Sequence, residues 1–536
     1  MPSRISRREF IVATGLLATV GSRELWSAAE ADESPFEHGV ASGDPLQDRV
    51  ILWTRITPPF PVDEIDVSWR IARDPRMSRV VAQGRSVAGV LRDYTVKLDV
   101  DGLEPGTTYY YRFEARGALS PIGRTRTLPA GRFDHARLAF VSCANLPAGL
   151  FNVYAGVARR HDLDAVLHLG DYLYEFGNGL YGDGRALGRL PQPDREILSL
   201  ADYRRRHAQY KRDADLQAAH RQHPFVCVWD DHEVANDAWK DGAANHDPDQ
   251  GEGDWWLRKR AAMRAYLEWM PVRERGTMDE PRIYRELRFG DLADLEMLDT
   301  RLIGRDPQAG LHPLQGGDYD ARDPRVLDPS RSMLGLQQEI WLDGRLALSQ
   351  QRGATWRLLG QQIMMAQLSG DGGRSVMNLD QWDGYAGARS RLFSTLRDER
   401  IDNLVVMTGD AHASFAAELH EDPWQPGDAT PALGVEFVTP AVSSPGVEDD
   451  SQAQRLGARL GSGSPHLKYL ELQQRGYGLL DLTRERVQGE IWHVETVERP
   501  SDREVLAAAF VSAAGESRLQ GVSAASAPKS AQDPAP

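Results

Sequence analysis

Apolar runs that end abruptly in polar clusters dominate the pattern of this chain. Phe225 to Trp229 reads as a buried strand, and Asp230-Asp231-His232-Glu233 follows at once. The same break recurs after Ala165 to Leu169, at Gly170-Asp171-Tyr172-Leu173-Tyr174-Glu175, and after Leu404 to Thr408, at Gly409-Asp410-Ala411-His412. A fourth strand, Arg137 to Cys143, closes on a thiol. Carboxylates and imidazoles at the end of an apolar strand are costly unless cations or hydrogen bonds satisfy them, and strand ends in open α/β sheets are where active sites gather. Further strands are predicted at 293–298, 355–359 and 435–439, with helices at 151–161, 202–219 and 254–269, the last stopped by Pro271. This alternation predicts an α/β domain over residues 131–500.

Upstream the pattern changes. Val50 to Arg55, Val67 to Ala72, Thr95 to Val100 and Leu103 to Phe113 are short strands punctuated by Gly and Pro, the signature of an antiparallel β-sandwich over residues 30–130. Leu103-Glu104-Pro105-Gly106-Thr107-Thr108-Tyr109-Tyr110-Tyr111 resembles a segment of fibronectin type III and immunoglobulin-like domains. Gly177 to Asp194 and Gly304 to Ser330 lack regular pattern and are expected to be loops over a site. Residues 501–536 are expected to form a short helix around Glu504 to Ala514 and a disordered tail.

Composition narrows the field. The 536 residues are 41% hydrophobic and 26% charged, with a formal net charge of −15, which argues against nucleic acid as a partner. Arginine so outnumbers lysine that no single arginine stands out as a phosphate ligand. Two cysteines, Cys143 and Cys227, exclude a disulfide scaffold, although one bridge between them is possible. Ser6-Arg7-Arg8-Glu9-Phe10, a modest apolar run and Ser27-Ala28-Ala29 read as a twin-arginine export signal at 1–29. That predicts passage through the twin-arginine machinery to the periplasm or beyond. No later run is long enough to span a bilayer.

The four strand ends together offer carboxylate, imidazole, phenol and thiol groups, a combination better explained by a metal cluster than by four unrelated turns. A Gly-x-Ser-x-Gly elbow and a Gly-rich phosphate loop are both absent from the sequence. In this order, Phe-Val-Ser-Cys143, Gly-Asp171-Tyr-Leu-Tyr174-Glu, Trp-Asp230-Asp231-His232-Glu with Asn236, and Gly-Asp410-Ala-His412 resemble the PhoD-type alkaline phosphatases of the metallophosphoesterase superfamily. Trp382-Asp383-Gly384-Tyr385, Thr439 to Gly446 and Arg475-Gly476-Tyr477 extend the resemblance over nearly the whole chain. The resemblance implies a metallophosphoesterase-type β-sandwich core flanked by helices, and an exported phosphatase cleaving phosphate monoesters and diesters by in-line attack of a metal-bridging oxide or hydroxide. The alternatives are a phospholipase D-like phosphodiesterase and a cell-surface binding protein with an inactive α/β domain.

The resemblance further implies one Fe(III), held by Cys143, Asp171, Tyr174 and His412, and two Ca(II), held by Asp171, the Asp230–Asp231 pair, Asn236 and Asp410. Asp231 is favoured over Asp230 as the calcium ligand, and His232 is assigned to the leaving oxygen rather than to a metal. The usual opening Asp-x-His of the superfamily is missing, and Cys143 stands in its place.

Overall fold

The computed structural model describes residues 34–277, 280–309, 319–424 and 431–536; the export signal expected at 1–29 lies outside them. Two large sheets share one core. The first has ten strands in the order Gln520–Val522, Glu504–Ala513, Arg486–Val494, Gly476–Thr483, His135–Val141, Ala165–His168, Pro224–Cys227, Val40–Gly43, Val50–Arg55 and Thr95–Val100. The second has seven: Arg285–Phe289, Ala293–Met297, Trp356–Gln361, Leu404–Thr408, Gly434–Val438, Ser414–Leu419 and Leu467–Glu471. Side chains from both, including Leu138, Phe140 and Leu167 on one side and Leu295, Leu358 and Val405 on the other, lie in a single apolar cluster.

The central strands of each sheet are parallel. Parallel strands covered on both faces are continuous apolar runs, which is why these stood out in the sequence. Parallel order also brings their C-terminal ends to one edge, so that segments distant in sequence emerge side by side. A lone parallel bridge, Ser142 to Ala441, ties the two sheets together there. Gly409 is packed so closely that an added Cβ would stand 2.7 Å from that of Ser142.

The N-terminal region departs from a self-contained unit. Glu64–Ala72, Val80–Gly89 and Thr108–Ala115 form a separate antiparallel sheet, joined by two shorter strands. Val40–Gly43, however, pairs in parallel with Pro224–Cys227, so the sheet of the α/β region runs on through Val50–Arg55 and Thr95–Val100. Residues of both sheets, among them Val50, Leu52, Val67 and Tyr111, still share a core of their own.

Three expectations need correction. The helix expected over 202–219 is two, Leu200–Tyr210 and Ala214–Gln222. Ser199 opens the first with a capping box to Asp202, and the Asp213 carboxylate accepts from the Asp215 and Leu216 N–H groups to start the second. The helix expected near Glu504–Ala514 is a strand, Glu504–Ala513, because Arg486–Val494 offers it a paired edge and Val505, Phe510 and Val511 suit a pleated surface. The tail expected to be disordered is docked instead. Lys529 pairs with Asp164, Gln532 N–H donates to the His161 carbonyl, and Ala535 exchanges two hydrogen bonds with the Gln222 side chain. Both cysteines are free.

Candidate metal centre

Six strand ends converge at the shared edge. Val141 leads to Cys143, His168 to Asp171 and Tyr174, and Cys227 to Asp230–His232. From the second sheet, Met297 leads to Arg301, Thr408 to Asp410 and His412, and Val438 to Ser443–Ser444. Cys143, Asp171, Asp410 and His412 all have positive φ, between 52° and 63°. Left-handed backbone in non-glycine residues costs about 1 kcal/mol or more apiece and is retained where the surroundings enforce it. Gly170, at φ +113°, is required twice over, since a Cβ there would meet Asp230 Cβ at 2.3 Å.

The donors fall into three linked groups, each with ligand atoms within 4.8 Å of one another: Cys143–Asp171–His412, Asp171–Asp231–His232 and Asp230–Asp231–Asp410. Asp171 belongs to the first two groups and Asp231 to the last two. Tyr174 joins the first, its hydroxyl donating to Asp171 Oδ2 at 2.9 Å, accepting from Ser444 Oγ at 2.7 Å and lying 3.0 Å from His412 Nε2. Asn236 is tied in through its backbone, whose N–H donates to Glu175 Oε1. His232, assigned to the leaving oxygen, lies in the second donor group. Asp230 and Asp231 each keep one buried oxygen without a hydrogen-bond partner among the described residues, Asp230 Oδ2 and Asp231 Oδ1.

Burial sets the electrostatics. It pushes the Cys143 thiol, the Asp171 and Asp230 carboxyls and the Tyr174 phenol well above their ordinary ranges, and neighbouring carboxylates reinforce the effect at Cys143, Asp171 and Tyr174. Burial likewise lifts Asp410 to about 6 against the pull of Arg301, and lowers His412 to about 3. Asp231 goes the other way, to about 2, because Arg301 and His232 outweigh its burial. At His232 burial is overcome by Glu175, Asp231 and Asp171, which keep the imidazole protonated well above its usual range. Cys143, Asp171, Asp230 and Tyr174 would release protons on holding a cation, as metal ligands do.

Several residues that position these groups carried no role in the sequence reading. Glu175 accepts from His232 Nδ1 at 2.8 Å, from the Asn236 N–H and from Asn245. Glu233 accepts the backbone N–H groups of Asp171, Tyr172 and Asp230, binding two strand ends together. Both stood in plain view beside the motifs. Tyr181, from the loop 177–194, places its hydroxyl 2.7 Å from His412 Nδ1. Arg301 follows the Ala293–Met297 strand end, its signal masked by the abundance of arginine, and its partner Asp380 lies shortly after Ser375–Val376. A cavity of about 810 Å³ between Trp256, Tyr284 and Leu336 lies outside this donor set.

A donor set of this kind on two sheets of mixed α/β structure suits a phosphoric ester hydrolase, and comparison with known proteins shows that class. Residues 138–491 match the PhoD-like phosphatase family, and residues 21–129 match the PhoD-like phosphatase N-terminal domain. The chain belongs to the PhoD-like phosphatase family. It is 35% identical to alkaline phosphatase D of Bacillus subtilis (strain 168) over an aligned length of 540 residues, covering 96% of this chain and 89% of the relative. A solved structure of PhoD superposes with a TM-score of 0.84 at 34% identity, covering 92% of this chain and 93% of that one.

Proposed function

We propose that this phosphatase is metal-dependent, with Fe(III) held by Cys143, Asp171, Tyr174 and His412, and Ca(II) held by Asp171, Asp230, Asp231, Asn236 and Asp410. The observation that carries this reading is the set of buried, unpartnered carboxylate oxygens, Asp171 Oδ1, Asp230 Oδ2 and Asp231 Oδ1, gathered beside a thiol, a phenol and two imidazoles. Oxygen-only donors suit a hard cation such as calcium, and thiolate with phenolate and imidazole suits iron. Bound there, such ions would polarise phosphoryl oxygens and lower the pKa of a water for in-line attack on phosphorus.

The protein's own groups divide the remaining work. Glu175 fixes the His232 ring through Nδ1, which leaves Nε2 as the donor directed at the site. A protonated imidazole can then donate to the oxygen of the departing alcohol. Glu233 and Ser444 hold the strand ends and the Tyr174 hydroxyl in register. The substrate class we favour is phosphate monoesters, with diesters second. We also propose export through the twin-arginine pathway with cleavage near Ala29; among the described residues no helix is long and apolar enough to cross a membrane. The fold we assign is an immunoglobulin-like N-terminal β-sandwich (30–130) leading into a metallophosphoesterase-type core (131–500).

Elemental analysis, a visible spectrum and side-by-side monoester and diester assays test this reading together. Iron with calcium, and a phenolate-to-iron charge-transfer colour that bleaches in Tyr174→Phe, are expected. Colourless protein holding only zinc would overturn the iron assignment, and full activity in excess chelator would overturn metal dependence.

A further inference from the structure

One of the six strand ends brings a cation into the carboxylate cluster. The turn after Ala293–Met297 is fixed by Asp299, whose Oδ1 accepts the Arg301 and Leu302 N–H groups at 3.0 and 2.8 Å and whose Oδ2 accepts from Trp229 Nε1 at 2.8 Å. Arg301 is thereby directed inward, with its side chain fully buried. Its Nε donates to Asp230 Oδ1, Nη1 to Asp380 Oδ2 at 2.6 Å and Nη2 to Asp410 Oδ1 at 2.7 Å; Nη2 also lies 3.7 Å from Asp231 Oδ1. Asp380 is held in turn by Arg305 and by Gln308 Nε2. Four carboxylates thus surround one guanidinium, which engages a single oxygen of Asp230 and leaves Asp230 Oδ2 and Asp231 Oδ1 without hydrogen-bond partners.

We propose that Arg301 is a positioning residue that balances the carboxylates of the cation-free site, so that Asp230, Asp231 and Asp410 are already in place before ions bind. This rests on the metal-centre reading above. Buried like charges without a counter-charge either protonate or spread apart. Arg301 supplies that counter-charge while Asp230 Oδ2, and Asp231 Oδ1 at ion-pair distance from Nη2, accept no hydrogen bond among the described residues. Removing it should therefore damage the cation-free protein more than the loaded one, because calcium replaces the missing charge. By linkage, the gap between the two stabilities must widen.

The test is the melting temperature of wild type, Arg301→Gln and Arg301→Lys, each in millimolar calcium and in chelator, with calcium content measured on the same samples. The inference expects at least a doubling of the calcium–chelator gap in Arg301→Gln, and a gap close to wild type in Arg301→Lys, which keeps the charge. An Arg301→Gln variant that folds only with calcium supports it in the same sense. Should that variant fail to fold in both conditions, the Lys variant decides. A gap unchanged in Arg301→Gln would show a merely structural residue and overturn the proposal, as would a Lys variant with a gap as wide as that of Gln. If calcium shifts the melting of neither wild type nor variants, the metal-centre reading fails and this inference falls with it.

Discussion

Replacing Glu233 by glutamine probes how the strand ends are held without touching a candidate ligand. The buried carboxylate accepts three backbone N–H groups, from Asp171 and Asp230 on Oε2 and from Tyr172 on Oε1. Burial lifts its pKa to about 7, with those same N–H groups opposing. Glutamine matches the shape, and its one oxygen can take the Oε2 position and keep two of the bonds in weaker, neutral form. The amide nitrogen must then face the Tyr172 N–H, donor against donor. An orphaned buried donor costs about 1–3 kcal/mol and the loss of charge from two further bonds adds about 1 kcal/mol, so the expected destabilisation is about 3 kcal/mol. That is a fraction of the roughly 5–15 kcal/mol that holds a domain together, and the variant should fold.

Activity should suffer more than stability. Asp171 sits at φ +54° immediately beyond Gly170, and its position depends on the bond that Glu233 weakens. A displacement of about 1 Å in a reacting group costs on the order of a hundredfold in rate. The expected outcome is a lower midpoint in urea unfolding together with a roughly hundredfold fall in kcat/KM on a phosphate monoester. A Glu233→Gln protein with wild-type midpoint and wild-type rate would refute the idea that this carboxylate sets the geometry. A lowered midpoint with an unchanged rate would confine it to stability.

Three further outcomes can be checked independently. Asp171→Asn should abolish phosphatase activity and most of the bound metal together, read by monoester assay and elemental analysis, because this carboxylate belongs to two of the three donor groups. Lys211 is buried against His220, Trp53 and Tyr172, and burial lowers its pKa to about 7, with Cys227 opposing. Its folded-state pKa lies below the unfolded value, so the folded form holds fewer protons and wild type loses stability as pH falls from about 10 to 7. Lys211→Met should therefore gain on wild type over that interval, by up to roughly 4 kcal/mol, and the gain should level off below pH 7; a pH-independent difference in urea midpoints would contradict this. Deleting residues 524–536 removes the Lys529–Asp164 pair and the Gln222 contacts at the N-terminal ends of the strands, opposite the site. It should lower the melting temperature by several degrees and leave kcat at 25 °C unchanged.

What the sequence revealed and what it hid follow one physical line. Residues 165–169, 225–229 and 404–408 were legible because strands buried on both faces are continuous apolar runs, and the acids that follow them violate that pattern abruptly. Glu504–Ala513 misled because its central alanines favour a helix intrinsically, and only the neighbouring strand, distant in sequence, decides otherwise. The continuation of the large sheet into Val40–Gly43 was hidden for the same reason, since strand pairing is non-local information. At the site, single-residue chemistry was visible and relations were not. His232 could be assigned to a leaving group from its motif, yet the carboxylate that orients it, Glu175, stands 57 positions away in sequence and 2.8 Å away in space. Arg301 shows the limit most clearly. It obeys the strand-end rule that exposed every candidate ligand, but with the opposite charge. Attention to donors alone therefore passes over a guanidinium that bonds Asp230 and Asp410.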